Sequence, residues 1–221
     1  MDKIFATQDG SHSIYSEQFG VSYHSKYGAI QETQHVFINA GLRLKAVVQQ
    51  HIAVLDIGFG TGLNALMTLL EAQKRNLRIE YVAYEAYPIQ DEQAHTLNYP
   101  HVLGLEQVQA TAFRQMHDAT WGVAHQLTDS FVFTKHLATF DQVDDRERFD
   151  VVYFDAFAPN SQPELWETPI MERMYNALKP DGALVTYCAK GAVKRTMKAL
   201  GFTVERLQGP PGKREMTRAI K

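Results

Sequence analysis

The fold of this chain is indicated by the stretch Val54-Leu55-Asp56-Ile57-Gly58-Phe59-Gly60-Thr61-Gly62. Its apolar first part is typical of a buried strand that ends in an acid, and three glycines follow at alternate positions. Glycines placed in this way let the backbone turn tightly and approach a ligand closely. Apolar residues then recur at helical spacing, at Leu63, Leu66, Met67 and Leu70. A strand, a glycine-rich turn and a helix N-terminus in succession predict a site for a nucleotide-containing cofactor.

The spacing of the glycines distinguishes between two cofactors. A dinucleotide-binding loop requires glycines at its first, third and sixth positions, and the sixth position counted from Gly58 is Leu63. The pattern Asp-x-Gly-x-Gly-x-Gly instead resembles motif I of the class I S-adenosylmethionine methyltransferases. Two alternatives remain open from this loop alone: an NAD-dependent oxidoreductase, which Leu63 disfavours, and a glycine turn with a purely structural role.

Apolar runs and helical patterns alternate along the rest of the chain. Strands are predicted at residues 78–84, 131–133, 150–154, 183–187 and 202–207, the last of them pairing with residues 216–220. Helices are predicted from residue 88 to about residue 98 and over residues 167–178 and 192–200, the second one stopped by Lys179-Pro180-Asp181-Gly182. This alternation predicts an α/β protein with a Rossmann-like fold, in which the sheet is doubly wound and mainly parallel. Ligands of such sheets bind beyond the carboxyl ends of the strands, so we expect Asp56, Glu85 and Asp155 to converge on one crevice.

The length of 221 residues suits one α/β domain with an extension. Residues 1–50 are predicted to form the short N-terminal extension, and residues 51–221 the cofactor-binding domain. Within the extension, residues 4–7 and 13–16 flank the turn signal Asp9-Gly10 and predict a hairpin. Residues 31–44 predict a helix with Val36, Phe37 and Ala40 on one side.

Composition is that of an ordinary globular protein. No apolar run approaches the ~18 residues of a membrane span, and the N-terminus Met1-Asp2-Lys3-Ile4-Phe5 lacks the pattern of a signal peptide. Cys188 is the single cysteine, which excludes an internal disulfide and is consistent with a reducing compartment. The nine histidines show no metal-binding spacing. We therefore expect a cytoplasmic protein that neither enters a membrane nor binds a metal.

The net charge of −3 conceals an uneven distribution. Residues 190–221 contain nine basic residues and two acids, a balance of +7, so the remainder carries −10. A basic segment on an acidic body is typical of nucleic-acid binding. A solvated helix face followed by a charged tail would show the same pattern, so charge alone leaves both interpretations open.

Two acids follow predicted strands at positions suited to chemistry. Glu85 ends the second strand, where an acid normally accepts hydrogen bonds from a ribose diol. Asp155 follows a buried strand and is expected to face the crevice near the reacting methyl group. Phe157 and Pro159 would wall a flat substrate, since bases stack on aromatic faces. The structural alternatives are a surface acid for Glu85, a helix-cap or loop acid for Asp155, and core packing for Phe157.

Several further motifs point to one family. Besides the glycine loop with Leu63-Asn64, they are Glu32-Thr33-Gln34-His35-Val36-Phe37, Tyr84-Glu85-Ala86-Tyr87-Pro88, Phe154-Asp155-Ala156-Phe157-Ala158-Pro159, Pro163-Glu164-Leu165-Trp166, Thr186-Tyr187-Cys188-Ala189-Lys190-Gly191-Ala192-Val193-Lys194-Arg195 and Gly212-Lys213-Arg214-Glu215-Met216. Together they resemble the methyltransferase half of the bifunctional tRNA 5-methylaminomethyl-2-thiouridine biosynthesis proteins. The resemblance extends from about Tyr23 to Met216.

The resemblance implies a specific activity. Members of this family methylate the exocyclic amine of 5-aminomethyl-(2-thio)uridine at the tRNA wobble position with S-adenosylmethionine. The resemblance implies that Asp155 is the catalytic aspartate. The implied cofactor contacts are Asp56, Gly58, Phe59, Gly60, Gly62, Asn64, Glu85 and Asp155. Many relatives also carry an FAD-dependent oxidase that makes the aminomethyl substrate. This chain ends at Lys221 without one, so we expect a stand-alone form whose partners are tRNA and a separate oxidase.

The contacts to adenine and to RNA are less directly implied. Relatives often have an acid just after the third strand, near the adenine, whereas here Phe133 is followed by Thr134-Lys135-His136-Leu137 and no acid occurs before Asp141. Backbone groups and His136 are the alternative adenine contacts. Candidate substrate contacts are Phe157 and Pro159 for the base and, for the phosphates, Lys190, Lys194, Arg195, Lys213 and Arg214.

The expected reaction mainly requires alignment, because the sulfonium methyl group is already activated. The attacking amine must be neutral, and a carboxylate at Asp155 with an ordinary pKa of ~4 is a poor base for it. We therefore predict that Asp155 accepts a hydrogen bond from the amine and orients it. Two other functions remain open: methylation of a small-molecule or protein amine, and a non-catalytic cofactor-binding partner of an oxidase.

Overall fold

The computed structural model of this protein describes residues 2–221 and contains two β-sheets. The smaller sheet is antiparallel and consists of β1 (Lys3–Ala6), β2 (His12–Ser16) and β3 (Val21–Ser22). A continuous helical segment follows, made of α1 (Ala29–Thr33), a π-helix (Gln34–Leu42) and α2 (Arg43–Ala46). In the smaller sheet, β1 pairs antiparallel with β2 and places Ile4 opposite Ile14, which confirms the hairpin predicted around Asp9-Gly10.

The remaining elements alternate between strands and helices. The strands are β4 (His51–Ile57), β5 (Arg78–Glu85), β6 (His125–Thr128), β7 (Phe131–Leu137), β8 (Phe149–Phe154), β9 (Leu178–Thr186), β10 (Thr203–Gln208) and β11 (Glu215–Ile220). The helices are α3 (Leu63–Arg75), α4 (Asp91–Thr96), α5 (Tyr99–Val102), α6 (Gln107–Asp118), α7 (Thr168–Ala177) and α8 (Gly191–Ala199), with short 3₁₀ turns at Phe140–Gln142 and Pro163–Trp166.

The larger sheet has the predicted doubly wound topology. Its strand order is β10-β11-β9-β8-β4-β5-β7-β6, and the central five strands, β9 to β7, run parallel. The chain starts the sheet at β4, extends it to one side through β5 and β7, and then crosses to the other side for β8 and β9. This reversal leaves a crevice at the carboxyl ends of β4, β5 and β8, where ligands of such sheets bind.

Apolar side chains fill both faces of the sheet. Alternate residues of a strand point to opposite faces, so Val54 of β4 packs in a cluster with Phe37 and Leu66, while Leu55 packs in a second cluster with Met174. Asp56 shares the face of Val54, beneath α3 and the π-helix. This register explains why the acid of the glycine motif is fully buried rather than open to the crevice.

The helical segment of the N-terminal extension lies against the large sheet. Val36, Phe37 and Ala40 are buried, as the sequence predicts. The wider π-helix was not predicted. It brings Gly41 so close to the sheet that a β-carbon there would lie 2.9 Å from Val185 and 3.2 Å from Tyr153. A glycine at this point therefore allows the helix to pack directly on the sheet.

Several boundaries differ from the sequence prediction. β7 continues four residues beyond Phe133, because the strand pairs with β5 as far as Leu137. The segment predicted to stop a helix, Lys179 to Gly182, is a bulge within β9: Leu178 pairs with Phe149, and pairing resumes only at Ala183 opposite Val151. The helix predicted from residue 88 to about residue 98 is confined to α4, and α5 and α6 were missed.

Within residues 2–221, no helix is long and apolar enough to cross a bilayer. In the same described part of the chain, no group of three His, Cys, Asp or Glu side chains is arranged to hold a metal ion.

Candidate active site

A cavity of about 420 Å³ opens at the carboxyl ends of β4, β5 and β8. The glycine loop, the end of β5 and the segment after β8 form its walls. The crevice predicted beyond the strand ends is present and is lined by Glu85 and Asp155, but the expectation that Asp56 also reaches it was wrong. Of the residues predicted for the cofactor, those that line the cavity are Gly58, Phe59, Gly60, Asn64, Glu85 and Asp155. Asp56, which is fully buried, and Gly62, which directly precedes α3, do not line the cavity.

The glycine loop adopts a backbone that side chains would obstruct. Gly58 has a φ of 95°, and a β-carbon on it would lie 3.0 Å from the carbonyl oxygen of Asp155. Gly60 has a φ of 50°, and a β-carbon on it would lie 3.0 Å from the ring of Tyr23. Both glycines therefore permit the loop to run close to the neighbouring segments and leave the cavity open beside them.

Glu85 ends β5 with its carboxylate inside the cavity wall. Its Oε2 accepts a hydrogen bond of 2.9 Å from the backbone N–H of Gly60, and its Oε1 accepts one of 2.8 Å from that of Tyr87. Burial raises the pKa of this carboxyl, and the backbone donors oppose the increase. A carboxylate has about four lone-pair sites, so both oxygens retain capacity for a ligand diol.

Asp155 and Asp56 are connected through one amide. The Nδ2 of Asn64 donates to Asp155 Oδ2 at 3.0 Å and lies 3.4 Å from Asp56 Oδ1. The hydroxyl of Tyr81 donates to the other oxygen of Asp56 at 2.6 Å. Burial is the main cause that raises the pKa of Asp56 to about 7. Asp56 thus holds the start of α3 through Asn64, rather than facing a ligand.

The surroundings of Asp155 favour its protonated form. Burial, followed by repulsion from Glu32 and Asp56, raises its pKa well above the ordinary value, while Asn64 and Lys213 oppose the increase. The sequence-based expectation of an ordinary pKa was therefore wrong. An aspartate with a raised pKa is a stronger base, so Asp155 can both orient an amine and accept its proton.

Aromatic side chains from three segments form a roof over the cavity. Phe19 packs against Phe157 with ring centroids 5.0 Å apart and against Tyr87 at 5.3 Å, and Tyr23 packs against Phe157 at 5.0 Å. Phe19 and Tyr23 come from the N-terminal extension and were missed in the sequence. The sequence motifs lie at the strand ends of the large sheet, and no pattern in residues 17–23 indicates that this segment folds over them.

The second half of the chain matches a known protein family. Residues 107–221 match the profile of a family described as S-adenosyl-L-methionine-dependent methyltransferase. This chain belongs to that family. The cofactor of this family is S-adenosylmethionine rather than a nicotinamide dinucleotide.

Curated relatives extend the similarity to almost the whole methyltransferase. The tRNA 5-methylaminomethyl-2-thiouridine biosynthesis bifunctional protein MnmC of Magnetococcus marinus is 30% identical over an alignment of 218 positions that covers 93% of this chain and 32% of that protein. The protein of the same name from Cupriavidus necator is 31% identical over 216 residues, covering 92% of this chain and 32% of that protein. The chain thus spans about a third of the length of these relatives.

A solved structure shows the same fold. The crystal structure of MNMC2 from Aquifex aeolicus superposes with a TM-score of 0.82 at 24% identity, covering 99% of this chain and 69% of that chain. The N-terminal sheet and the eight-stranded sheet of this methyltransferase therefore form part of an architecture that a crystal structure also contains.

The residues around the cavity fit S-adenosylmethionine. Gly58 and Gly60 form a cradle that β-carbons would narrow, and the buried carboxylate of Glu85 is placed for the ribose hydroxyls. The walls are mainly apolar elsewhere, which suits a purine ring. Because β7 is longer than predicted, the segment Thr139 to Asp141 lines the cavity, and Asp141 is a candidate for the acid that relatives often carry after the third strand. His136 instead stacks on Tyr84 outside the cavity, with ring centroids 4.8 Å apart.

The predicted substrate contacts occupy different surroundings. Phe157 lines the cavity, whereas Pro159 lies in a separate shallow groove together with Lys190. Arg195 and Arg214 are exposed. Lys190 donates to Asn160 and is also exposed. These three basic side chains lie at the surface, where an RNA phosphate could reach them.

Two predicted phosphate contacts are engaged within the protein. Lys194 is only 8% exposed, and its Nζ lies 3.1 Å from Glu215. Lys213 lies 2.5 Å from Glu32 and 3.8 Å from the centroid of the Tyr187 ring. Lys194 would have to leave its partner to meet a phosphate, and Lys213 is better placed to act on the electrostatics of Asp155.

Proposed function

We propose that this methyltransferase transfers a methyl group from S-adenosylmethionine to the exocyclic amine of 5-aminomethyl-(2-thio)uridine at the wobble position of tRNA. The observation that carries the proposal is the match of 93% of the chain to a protein of tRNA 5-methylaminomethyl-2-thiouridine biosynthesis. The chain covers only 32% of that protein, and we propose that it shares the methyl-transfer activity.

The cavity supports an amine as the methyl acceptor. Asp155 reaches into it, with Glu32 and Asp56 close enough to raise the pKa of the Asp155 carboxyl. A group of acids attracts an ammonium ion and can take up a proton from it. Phe157 offers an aromatic face at the same place, which suits a stacked pyrimidine.

The reaction divides simply between cofactor and protein. When bound, S-adenosylmethionine supplies a methyl group activated by its sulfonium, and it leaves as the neutral thioether S-adenosylhomocysteine. Asp155 accepts the proton of the substrate ammonium and thereby exposes the nitrogen lone pair that forms the new N–C bond. Glu85 and the glycine loop hold the cofactor, and the roof of Phe19 and Tyr23 excludes water from the cavity.

Two further parts of the proposal, the compartment and the source of the aminomethyl group, depend on the substrate. A tRNA partner would act in the cytoplasm, where tRNA is modified. Its aminomethyl group would come from the carboxymethyl form through a separate FAD-dependent oxidase. We also propose a division into an N-terminal extension, residues 1–50, whose Phe19 and Tyr23 roof the cavity, and a methyltransferase domain formed by residues 51–221.

Labelled cofactor tests the proposal directly. The protein is incubated with S-adenosylmethionine carrying a radioactive methyl group and with tRNA that contains 5-aminomethyl-2-thiouridine, and the RNA is digested to nucleosides. We expect the label in 5-methylaminomethyl-2-thiouridine. A parallel reaction with tRNA that lacks the aminomethyl group is the control and should stay unlabelled.

The failure of this experiment would also be informative. Cofactor binding without label in the nucleoside would refute the wobble-uridine proposal. Transfer of the label to polyamines or to a lysine-rich protein would then favour the alternative of a small-molecule or protein amine. Binding without transfer to any of these acceptors would favour a non-catalytic partner of an oxidase.

A further inference from the structure

We propose that Asn64 is a positioning residue that fixes the carboxylate of Asp155 for methyl transfer, and that Thr33 holds the Asn64 amide in the orientation this requires. The inference rests on the role proposed above for Asp155. It assigns Asn64 a task other than the cofactor contact that the sequence predicts, and it includes a residue of the N-terminal extension in the support of the active site.

Thr33, Asn64 and Asp155 form a continuous hydrogen-bonded chain. Asn64 is the second residue of α3 and is only 4% exposed. Its Nδ2 donates to Asp155 Oδ2 at 3.0 Å, and Asp56 Oδ1 lies 3.4 Å from the same nitrogen. Its Oδ1 accepts a hydrogen bond of 3.1 Å from the hydroxyl of Thr33, which is fully buried.

The chemistry of these partners determines which way the amide points. In the ionised form that can take a proton from the substrate, the Asp155 carboxylate only accepts hydrogen bonds, so it requires the NH₂ end of Asn64. A flipped amide would direct its oxygen at both carboxylates and lose two donors in a buried site. Thr33 completes the arrangement from the other side because its hydroxyl can donate to the amide oxygen. Both ends of Asn64 are therefore engaged by the protein.

The arrangement leaves one atom of Asp155 for the substrate. Asn64 occupies Oδ2. Among residues 2–221, no group donates a hydrogen bond to the other oxygen, Oδ1, and Asp155 lines the cavity. The carboxylate is thus held at one oxygen and offers the second one to an amine. Misplacement of a reacting group by about 1 Å can reduce a rate roughly 100-fold, so this support matters for the reaction.

Asn64 also acts on the charge of Asp155. The pKa of Asp155 is raised by Glu32 and Asp56 and lowered by Asn64 and Lys213. Tyr187 and Tyr81 also face this carboxyl, since its charge raises the pKa of both phenols. Removing the Asn64 donor should therefore raise the pKa of Asp155 further. Methyl transfer would then require a higher pH, which is a response that a purely structural residue would not produce.

The first test compares three variants across pH. Asn64→Leu keeps a similar size without hydrogen bonds, Thr33→Val removes only the hydroxyl, and Thr68→Val is the matched control. Thr68 is buried in the same helix and bonds to the Asn64 backbone carbonyl, but it does not contact Asp155. For Asn64→Leu, we expect kcat at pH 7 to fall roughly 100-fold, with little change in the Kd of S-adenosylmethionine.

The pH dependence distinguishes positioning from folding. The rise of kcat with pH should move to higher pH in Asn64→Leu and, to a smaller extent, in Thr33→Val, and it should stay in place in Thr68→Val. A weaker Kd for the cofactor with an unmoved pH profile in Asn64→Leu would show that Asn64 binds the cofactor and would overturn the proposal. If that variant does not fold, an unmoved profile and an unchanged kcat in Thr33→Val would overturn it.

A second measurement does not depend on RNA. Aspartates labelled with ¹³C at the carboxyl are titrated by NMR, and Asp155→Asn identifies the signal of Asp155. The pKa of Asp155 should rise in Asn64→Leu and in Thr33→Val, and an equal value in both variants and the parent protein would refute the support by Asn64. A parent protein that binds cofactor but transfers no methyl group to tRNA would refute the proposed function alone, because this titration still decides the role of Asn64.

Discussion

At the scale of single residues, the two aspartates around Asn64 have different surroundings. Asp155 lines the cavity, whereas Asp56 lies behind the glycine loop and is fully buried. Both carboxyls have raised pKa values because burial disfavours their charged form. We expect different consequences: the Asp155 carboxyl should affect the proposed reaction, and the Asp56 carboxyl should affect the stability of the protein.

Replacing Asp155 by asparagine should abolish most of the activity. We expect kcat of Asp155→Asn to fall by roughly 100-fold or more, because the amide cannot accept the proton of the substrate amine. S-adenosylmethionine should still bind, as calorimetry would show. Asp129→Asn, in the turn between β6 and β7, is a control that should behave as the parent protein. Near-normal turnover of Asp155→Asn would contradict the catalytic role.

Replacing Asp56 by asparagine should change how stability depends on pH. The folded-state pKa of Asp56 is about 7, above the value of ~3.9 in an unfolded chain. The folded protein therefore binds a proton more tightly, and stability falls as pH rises from about 4 to about 7. Between these pH values the parent protein should lose on the order of 2 to 4 kcal/mol relative to Asp56→Asn.

Denaturant unfolding at several pH values measures this difference in the free energy of unfolding. Asp150→Asn is a useful comparison, because Asp150 is also buried but forms an ion pair with Lys179 at 3.0 Å. A constant difference between Asp56→Asn and the parent across the pH range would mean that Asp56 does not titrate there.

At the scale of elements, the small sheet of the N-terminal extension carries the roof of the cavity. The turn between β2 and β3 carries Phe19, and Tyr23 follows β3 directly. Both rings contact Phe157, which follows β8. The small sheet and the central sheet therefore enclose the cavity together.

Shortening the Phe19 side chain should weaken cofactor binding. In Phe19→Ala we expect the Kd of S-adenosylmethionine to rise about 10-fold, since the truncation of a central contact costs more than about 1 kcal/mol. Tyr15→Ala removes an aromatic ring from β2 that is 39% exposed and is the control. The Kd of S-adenosylmethionine is measured by calorimetry. Equal Kd values in both variants would show that the turn between β2 and β3 does not enclose the cofactor.

At the scale of the whole molecule, charge is concentrated in the last part of the chain. Residues 190–221 carry a balance of +7 on a chain whose net charge is −3. Some of this charge is neutralised by ion pairs, such as Arg218 with Glu205 and Lys194 with Glu215. The exposed side chains of Lys190, Arg195 and Arg214 remain as the candidates for RNA contact.

Removing these three charges together should weaken tRNA binding and reduce its dependence on salt. Each lost phosphate contact should lower the slope of log K against log salt concentration by about 1. The Kd of S-adenosylmethionine should stay the same. Lys74→Ala, at an exposed position of α3, controls for the loss of a charge elsewhere. An unchanged salt slope in the triple variant would place the RNA on another surface.

The sequence by itself determined the glycine loop, the order of the main strands and the acids at their ends. These features follow local rules, since a strand, a tight turn and a helix N-terminus depend on residues near one another in the chain. For the same reason Glu85 and Asp155 could be predicted at the crevice, and the structure places both there.

Only the tertiary structure decided what surrounds those acids. The pairing of β7 with β5 extends a short apolar run to Leu137 and thereby brings Asp141 to the cavity. The roof formed by Phe19 and the link from Thr33 through Asn64 to Asp155 join residues that are far apart in the chain. Burial that raises the pKa of Asp155 arises from the same packing, and no local pattern encodes it, because it depends on which segments exclude water from the site.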